Sequence, residues 1–245
     1  MKKTGRKHTI WKWTKRVFLF LLVSHLLYIV ILKWVNPPIT ITQLVSWVSG
    51  YGMERDYVSG KDISPNAKLA VIASEDQLFI DHGGFDWKSM KKAMEFNEKQ
   101  TKKRRGGSTI SQQVAKNVFL WQGGGYFRKG LEAYFTFMIE LIWGKERILD
   151  VYLNVAEMGK GVFGVEKAAN KFFNKKASQL TRSEAALIAA CLPNPKVLNA
   201  AKPSGYVSGR SRAILRQMNN LSPDPDLQEL IGNPVKPEPV IKKKK

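Results

Sequence analysis

Residues 17–32 (VFLFLLVSHLLYIVIL) run without a single charge, and this run limits the chain more than any other feature. A helix crossing a bilayer needs roughly 17–25 predominantly apolar residues. Residues 17–35 reach that length if Lys33 extends its ammonium back to the interface. Trp11 and Trp13 precede the run and Trp34 follows it, as in the aromatic belts of membrane spans. Residues 1–16 hold seven Lys/Arg and no acid. That bias orients the N-terminus to the cytoplasm and everything after residue 35 to the outer side. A cleaved signal peptide is the rival, but Lys33-Trp34-Val35-Asn36-Pro37-Pro38 offers no small-residue cleavage site. A lone His25 within the span reads as a packed residue rather than a functional one.

The chain has 40 Lys+Arg against 20 Asp+Glu, a formal charge of +20. Much of the excess sits in residues 1–16 and 242–245, beside the span and in the tail. No recognition helix carries it, which argues against a nucleic-acid partner. The one cysteine, Cys191, lies in an apolar segment and reads as a buried, inert thiol. No Cys or His spacing suggests a metal site.

The expected organisation is a cytoplasmic basic segment (1–16), a transmembrane helix (17–35), a linker (36–53), one domain (54–220) and a Pro/Lys-rich tail (221–245). The domain reads as mainly α. Within the linker a short helix is expected around 43–49. Ser64-Pro65 opens a helix to about residue 77, with Ser as N-cap and Pro in the first turn. Further helices are expected over 87–99, to about 120, 128–143, 145–156 and 165–173. Thr181-x-x-Glu184 is a capping box opening another, which Pro193 ends. A final helix is expected over 209–220, after a loop at 202–208. Residues 100–106 read as a basic loop, residues from 222 as unstructured, and no β pattern stands out.

Candidate chemistry begins with Ser108-Thr109-Ile110-Ser111-Gln112-Gln113-Val114-Ala115-Lys116-Asn117. At 100° per residue Ile110, Val114 and Val118 share one side, and Thr109, Gln112, Gln113 and Lys116 the other. The polar side offers hydroxyl, amide and ammonium donors but no carboxylate, which suits an anionic, oxygen-rich ligand. Glu75-Asp76 ends an apolar helix. Burial and the adjacent Asp76 would make Glu75 a stronger base, although for the pair taken alone an exposed helix end is the preferred reading. Lys129 and Glu132 are i,i+3 neighbours, by default an ordinary ion pair. Lys145 and Arg147 open a helix where positive charge opposes the dipole, so each calls for a partner outside that helix.

Taken in order, four motifs are specific. They are Glu75-Asp76-x-x-Phe79-x-x-His82-x-Gly84-x-Asp86; Gly107-Ser108-Thr109-Ile110-x-Gln112-Gln113-x-x-Lys116-Asn117; Arg128-Lys129-x-x-Glu132; and Lys145-x-x-Ile148-Leu149-x-x-Tyr152-Leu153-Asn154. Over residues 54–220 the chain resembles the biosynthetic peptidoglycan glycosyltransferase family, in its monofunctional form. The resemblance implies a lysozyme-like helical glycosyltransferase domain on the outer face of the cytoplasmic membrane. The implied reaction extends glycan strands from lipid II, the undecaprenyl-diphosphate disaccharide-pentapeptide, and from the growing lipid-linked glycan. Glu75 and Glu132 are then the expected catalytic carboxylates, with Glu75 the base for the acceptor 4-hydroxyl. Asp76, Ser108, Thr109, Gln112, Gln113, Lys116, Asn117, Arg128, Lys129 and Asn154 are the expected substrate-binding set. Besides the membrane, cell-wall synthesis or division proteins are the partners the resemblance brings with it.

The residues agree with that chemistry. A glycosidase must protonate a poor leaving group and needs two carboxylates around the sugar. A diphosphate leaves as a stable anion and needs positive charge instead. No cofactor is demanded, and a Mg or Mn ion on the diphosphate is compatible with the set. The main departure from the family is Gly124, where an arginine usually stands four residues before Arg128-Lys129. Asp150 for Glu and Phe172 for Tyr are smaller departures. Two other functions fit less well: a lytic glycan-cleaving enzyme using Glu75 as acid, and a membrane-anchored scaffold that has lost turnover.

Overall fold

A computed structural model describes residues 4–99 and 106–233 of the chain. Most of residues 100–106, expected to form a basic loop, and residues 242–245 lie outside the described residues.

The elements follow the capping signals closely. Helix α1 (Thr4–Ile31) is followed by α2 (Ile41–Val48), opened by a Thr40/Gln43 capping box. Strand β1 (Glu54–Arg55) leads to α3 (Pro65–Glu75), where Ser64 Oγ accepts from the Asn66 N–H. Then come α4 (Trp87–Lys99), α5 (Ile110–Phe119), α6 (Tyr126–Ile142) and α7 (Lys145–Val155). Strands β2 (Glu157–Gly159) and β3 (Val162–Phe163) precede α8 (Val165–Phe173). Helices α9 (Arg182–Cys191), α10 (Gly205–Leu221) and α11 (Pro225–Leu230) complete the order.

Helix α3 is enclosed on every side: residues Ala67 to Ala73 are all buried, Lys68 among them. Such a helix has to be central, and α3 packs between α9 and α10. Helix α7 is buried from Ile148 to Val155 and packs on α5, which also meets α6. The end of α3 and the face of α5 are thereby brought together over one core. Cys191 is part of that core, and burial pushes its thiol up to about 11.

The end of α1 belongs to this domain as well. Ile29 and Leu32 are buried, and the Trp143 indole N–H donates to the Ile29 carbonyl at 2.8 Å. His25 is packed as expected, its Nε2 3.2 Å from the Tyr134 hydroxyl. Arg147 answers the question its position raised: it donates to the carbonyls of Leu32 and Val35 and to Asn36 Oδ1. A guanidinium there caps the carbonyls that the end of α1 leaves unpaired and complements its negative dipole end. From Trp11 to Val23, by contrast, α1 is exposed throughout.

Helix α2 is built inside out. Its buried side chains are Gln43 and Ser46, bonded to Thr40, Tyr57 and the Gly52 carbonyl. Ile41, Leu44, Val45, Trp47 and Val48 face outward. On α6, Phe127, Tyr134, Phe137 and Leu141 form a second outward apolar stripe at helical spacing. Contiguous apolar surface of this kind is costly in water and marks a surface that meets another apolar phase.

Four local expectations change. A three-stranded sheet, ordered β1-β3-β2, is present. Its strands are two or three residues long, too short to show alternation in sequence. The β2–β3 turn needs Gly161, at φ +68°, because a Cβ there would lie 2.1 Å from the Tyr51 carbonyl oxygen. Helix α6 starts at Tyr126, two residues earlier than expected. Helix α10 starts at Gly205 rather than residue 209, because Ser204 caps it, and its two early glycines disguised the first turn. Helix α11 forms within the stretch expected to be unstructured. Asp224 caps it, Pro225 occupies its first turn, and Leu227 and Ile231 are buried.

Candidate functional site

The site is assembled where α3 ends. Asp76 is the C-cap of α3 and is buried. Its carboxylate accepts from His82 Nε2 and from the backbone N–H of Ile110, both at 2.9 Å. The Gly84 N–H donates to His82 Nδ1 at 3.1 Å, which leaves the ring hydrogen on Nε2 for Asp76. Asp76 thus ties the end of α3 to the start of α5. Thr109 caps α5: its hydroxyl accepts from the Gln112 N–H and donates to the Gly84 carbonyl at 2.7 Å. Gln112 returns the bond, its Oε1 accepting from the Thr109 N–H at 3.0 Å. Asn154 is likewise buried and bridges both backbone groups of Val58. All four were expected to face substrate. In the structure the bonds named here engage them within the protein and tie together the elements around the site.

Glu75 points elsewhere. Gln113 Nε2 donates to its Oε2 at 3.0 Å, and Ser74 Oγ donates to Oε1 at 2.9 Å. The Arg210 guanidinium from α10 stands 3.5 Å from Oε1 and donates to Ser74 Oγ at 3.0 Å. Tyr152, fully enclosed in α7, donates to Gln113 Oε1 at 3.4 Å and so orients that amide. Burial, and next the charge of Glu75, push the Tyr152 phenol well above its ordinary value, so it stays a neutral donor. Asp76, expected to strengthen Glu75 as a base, is turned away into its own hydrogen bonds.

One turn beyond Gln113 stands Lys116. Burial pushes its ammonium below the ordinary value. Glu132 pulls it back up, Arg128 and Lys129 push it down, and Glu75 pulls it up. Glu132 is buried between Arg128, which donates to it at 2.7 Å, and Lys129. The carboxylate holds the two cations on the first turns of α6. Arg128 Nε is buried with no partner. An anion arriving at Lys116 would relieve both the desolvation of its ammonium and the repulsion among the three cations.

Gly124 sits at φ +102°, and a Cβ there would meet Arg128 and the Trp121 ring nitrogen at 3.2–3.3 Å. This backbone is shaped for glycine and does not present an arginine. Lys145 does not replace one: it donates to Glu140 at 2.7 Å and to the His82 carbonyl at 2.6 Å.

Two cavities meet at the Glu75–Gln113 bond. One, about 450 Å³, is lined by Glu75, Asp76, Asp86, Ser89 and the exposed Ser108. The other, about 400 Å³, is lined by Gln113, Lys116, Asn117, Tyr152, Lys196 and the α2 residues Thr42 and Val45. Asn117 accepts from Gln122 at 3.2 Å on its rim. The carboxylates nearest Lys116 are both covered by donors. Among the described residues no group of three His, Cys, Asp or Glu is placed to hold a metal ion.

Sequence reading passed over Ser74, Tyr152 and Arg210 as site residues. A signal for Arg210 existed, since it lies three residues after buried Val207 and four before buried Ile214, on the inward stripe of α10.

Residues 42–219 match the family described as Transglycosylase. The chain is 55% identical to the biosynthetic peptidoglycan transglycosylase of Escherichia coli (strain K12 / DH10B) over 190 residues, 76% of this chain and 78% of the relative. The same values relate it to the biosynthetic peptidoglycan transglycosylase of Shigella sonnei (strain Ss046).

Proposed function

Since this chain belongs to the transglycosylase family and is a peptidoglycan transglycosylase that polymerises glycan strands, we propose how its cleft carries out the transfer. The donor is the growing glycan on its undecaprenyl-diphosphate carrier, and the acceptor is the 4-hydroxyl of lipid II. Glu75 takes the proton from that hydroxyl. The oxygen bonds to the anomeric carbon as the bond to the diphosphate breaks, and the diphosphate leaves with the electron pair. Direct displacement converts an α linkage to a β linkage. Gln113 and Ser74 aim the carboxylate, and Tyr152 fixes the Gln113 amide. Lys116, with Arg128 and Lys129 in support, stabilises the charge that builds on the diphosphate. Glu132 acts through those two cations by holding them in place. A divalent ion would sit on diphosphate oxygens in this reading, because the carboxylates beside Lys116 are already covered.

The observation that carries the reading is the separation of charge across Gln113. A carboxylate lies in one cavity and a desolvated ammonium in the next, joined by one side chain. One base and several cations suit a phosphorylated leaving group, where a lytic mechanism would need one proton donor for the leaving oxygen and a second carboxylate on the opposite face of the sugar. The apolar faces of α2 and α6 and the exposed span of α1 support a single-pass anchor with the domain resting on the outer leaflet and the N-terminus in the cytoplasm.

The test uses the full chain in proteoliposomes with labelled lipid II. Wild type should build a polymer ladder, and Glu75→Gln should lower the rate by about 10³-fold while the melting temperature holds. Normal polymerisation by Glu75→Gln would remove Glu75 as the base. Release of fragments from preformed glycan, with no growth from lipid II, would favour the lytic reading.

A further inference from the structure

Four residues before Arg128, where the resemblance implies an arginine, Gly124 offers no cation. Of the nearby cations, Arg128 and Lys129 are held by Glu132, and Lys145 by Glu140 and the His82 carbonyl. The cavity that contains Lys116 has a further cation on its lining. Lys196 lines the same cavity, with Leu192, Pro193 and Pro195 from the segment after α9. We propose that Lys196 supplies a further positive charge for the anionic group bound at Lys116, where Gly124 offers none.

Three observations support this assignment. The segment that carries Lys196 is stiff. Two prolines flank Asn194, and the Asn194 carbonyl accepts from the N–H groups of Val197 and Leu198 at 3.1 and 2.9 Å. The side chain is aimed, because its ammonium lies 4.5 Å from the centre of the Tyr51 ring. It is also uncommitted: among the described residues no carboxylate lies within ion-pair distance of it. Glu157, on the same cavity lining, is the acid that feels its charge. An exposed lysine on the same cavity lining as Lys116 can turn from the aromatic ring towards an anionic diphosphate bound there.

This inference rests on the proposed reading of the cleft, so the experiment separates the two. Wild type, Lys196→Gln, Lys196→Arg and Lys160→Gln are assayed as full chains in proteoliposomes with lipid II at two salt concentrations. Lys160 shares the Tyr51 ring, at 5.1 Å, but is not among the residues lining the cavity, so it controls for charge alone. Lys196→Gln should lower kcat/KM by about 10-fold, mainly through KM, and the gap should narrow at high salt as the exposed charge is screened. Lys196→Arg should stay within about 3-fold of wild type and Lys160→Gln within about 2-fold. Polymer from wild type and Lys196→Gln at equal rates overturns this inference alone, as does an equal loss in Lys160→Gln. No polymer from wild type overturns the reading of the cleft and this inference with it.

Discussion

The first turn of α5 and the turns that follow carry the same kinds of side chain and use them differently. Thr109 and Gln112 bond each other's backbone, and Thr109 also reaches the Gly84 carbonyl. The Thr109 hydroxyl and the Gln112 carbonyl oxygen are thereby engaged within the protein. Gln113 and Lys116, one and four residues further on, line the cleft instead. Gln113 links Tyr152 to Glu75, and Lys116 is desolvated yet finds no acid of its own at contact distance among the described residues. Two adjacent glutamines thus divide between holding the frame and facing the ligand. What separates them is access: Gln112 is buried against Thr109, whereas Gln113 is half-buried and lines the cavity that holds Lys116.

The largest break in that comparison should come from Lys116→Met. It removes charge where the proposed diphosphate binds, and a charge-stabilising group of this type typically contributes about 10²–10³ in rate. The expected outcome is a loss of that size in lipid II polymerisation with a melting temperature within about 2 °C of wild type, since the ammonium already bears a desolvation cost. A large drop in thermal stability with activity per folded molecule preserved would place Lys116 with the frame instead. The opposite pattern is expected of Asp76→Ala. That change leaves the buried Ile110 N–H and the His82 ring without their acceptor, a loss of about 3 kcal/mol. Calorimetry should show a melting temperature lower by roughly 6–10 °C. Activity of the remaining folded protein should fall less than in Lys116→Met. If stability is unchanged, the tie between α3 and α5 is not what Asp76 provides.

Much of the fold was legible because helices announce themselves in one dimension. Ser64-Pro65, the Thr181/Glu184 box and the spacing of Ile148, Leu149 and Tyr152 each mark a start or a buried stripe, and the helices appear there. Strands of two residues leave no such period, and α11 hid behind a proline-rich composition. The types of residue at the site were also legible, since a donor face without acids and a nearby carboxylate can be found by counting along a helix. Their division of labour was not. Whether Thr109 is free depends on a carbonyl 25 positions away, and whether Asn154 is free depends on Val58, 96 positions away. Arg210 reaches Glu75 from a helix 135 residues further along the chain. Spacing along one helix carries no information about partners that the fold delivers from another.

The smallest effect sharpens the comparison most, because it falls on the same helix two turns from Lys116. Thr109→Val keeps the shape of the side chain and removes its oxygen. Two bonds go: the cap to the Gln112 N–H and the donation to the Gly84 carbonyl. An N-cap contributes about 1 kcal/mol, and a buried carbonyl left unpaired adds a comparable amount at most. The melting temperature should therefore fall by roughly 3–6 °C, and Thr109→Ser should restore it. Polymerisation per folded molecule should remain within about 2-fold, because Asp76 still grips the Ile110 N–H and keeps α5 aimed at Glu75. If Thr109→Val instead lost activity as deeply as Lys116→Met while its stability held, the Thr109 hydroxyl would be facing substrate. The boundary within α5 would then have to move one turn towards the N-terminus.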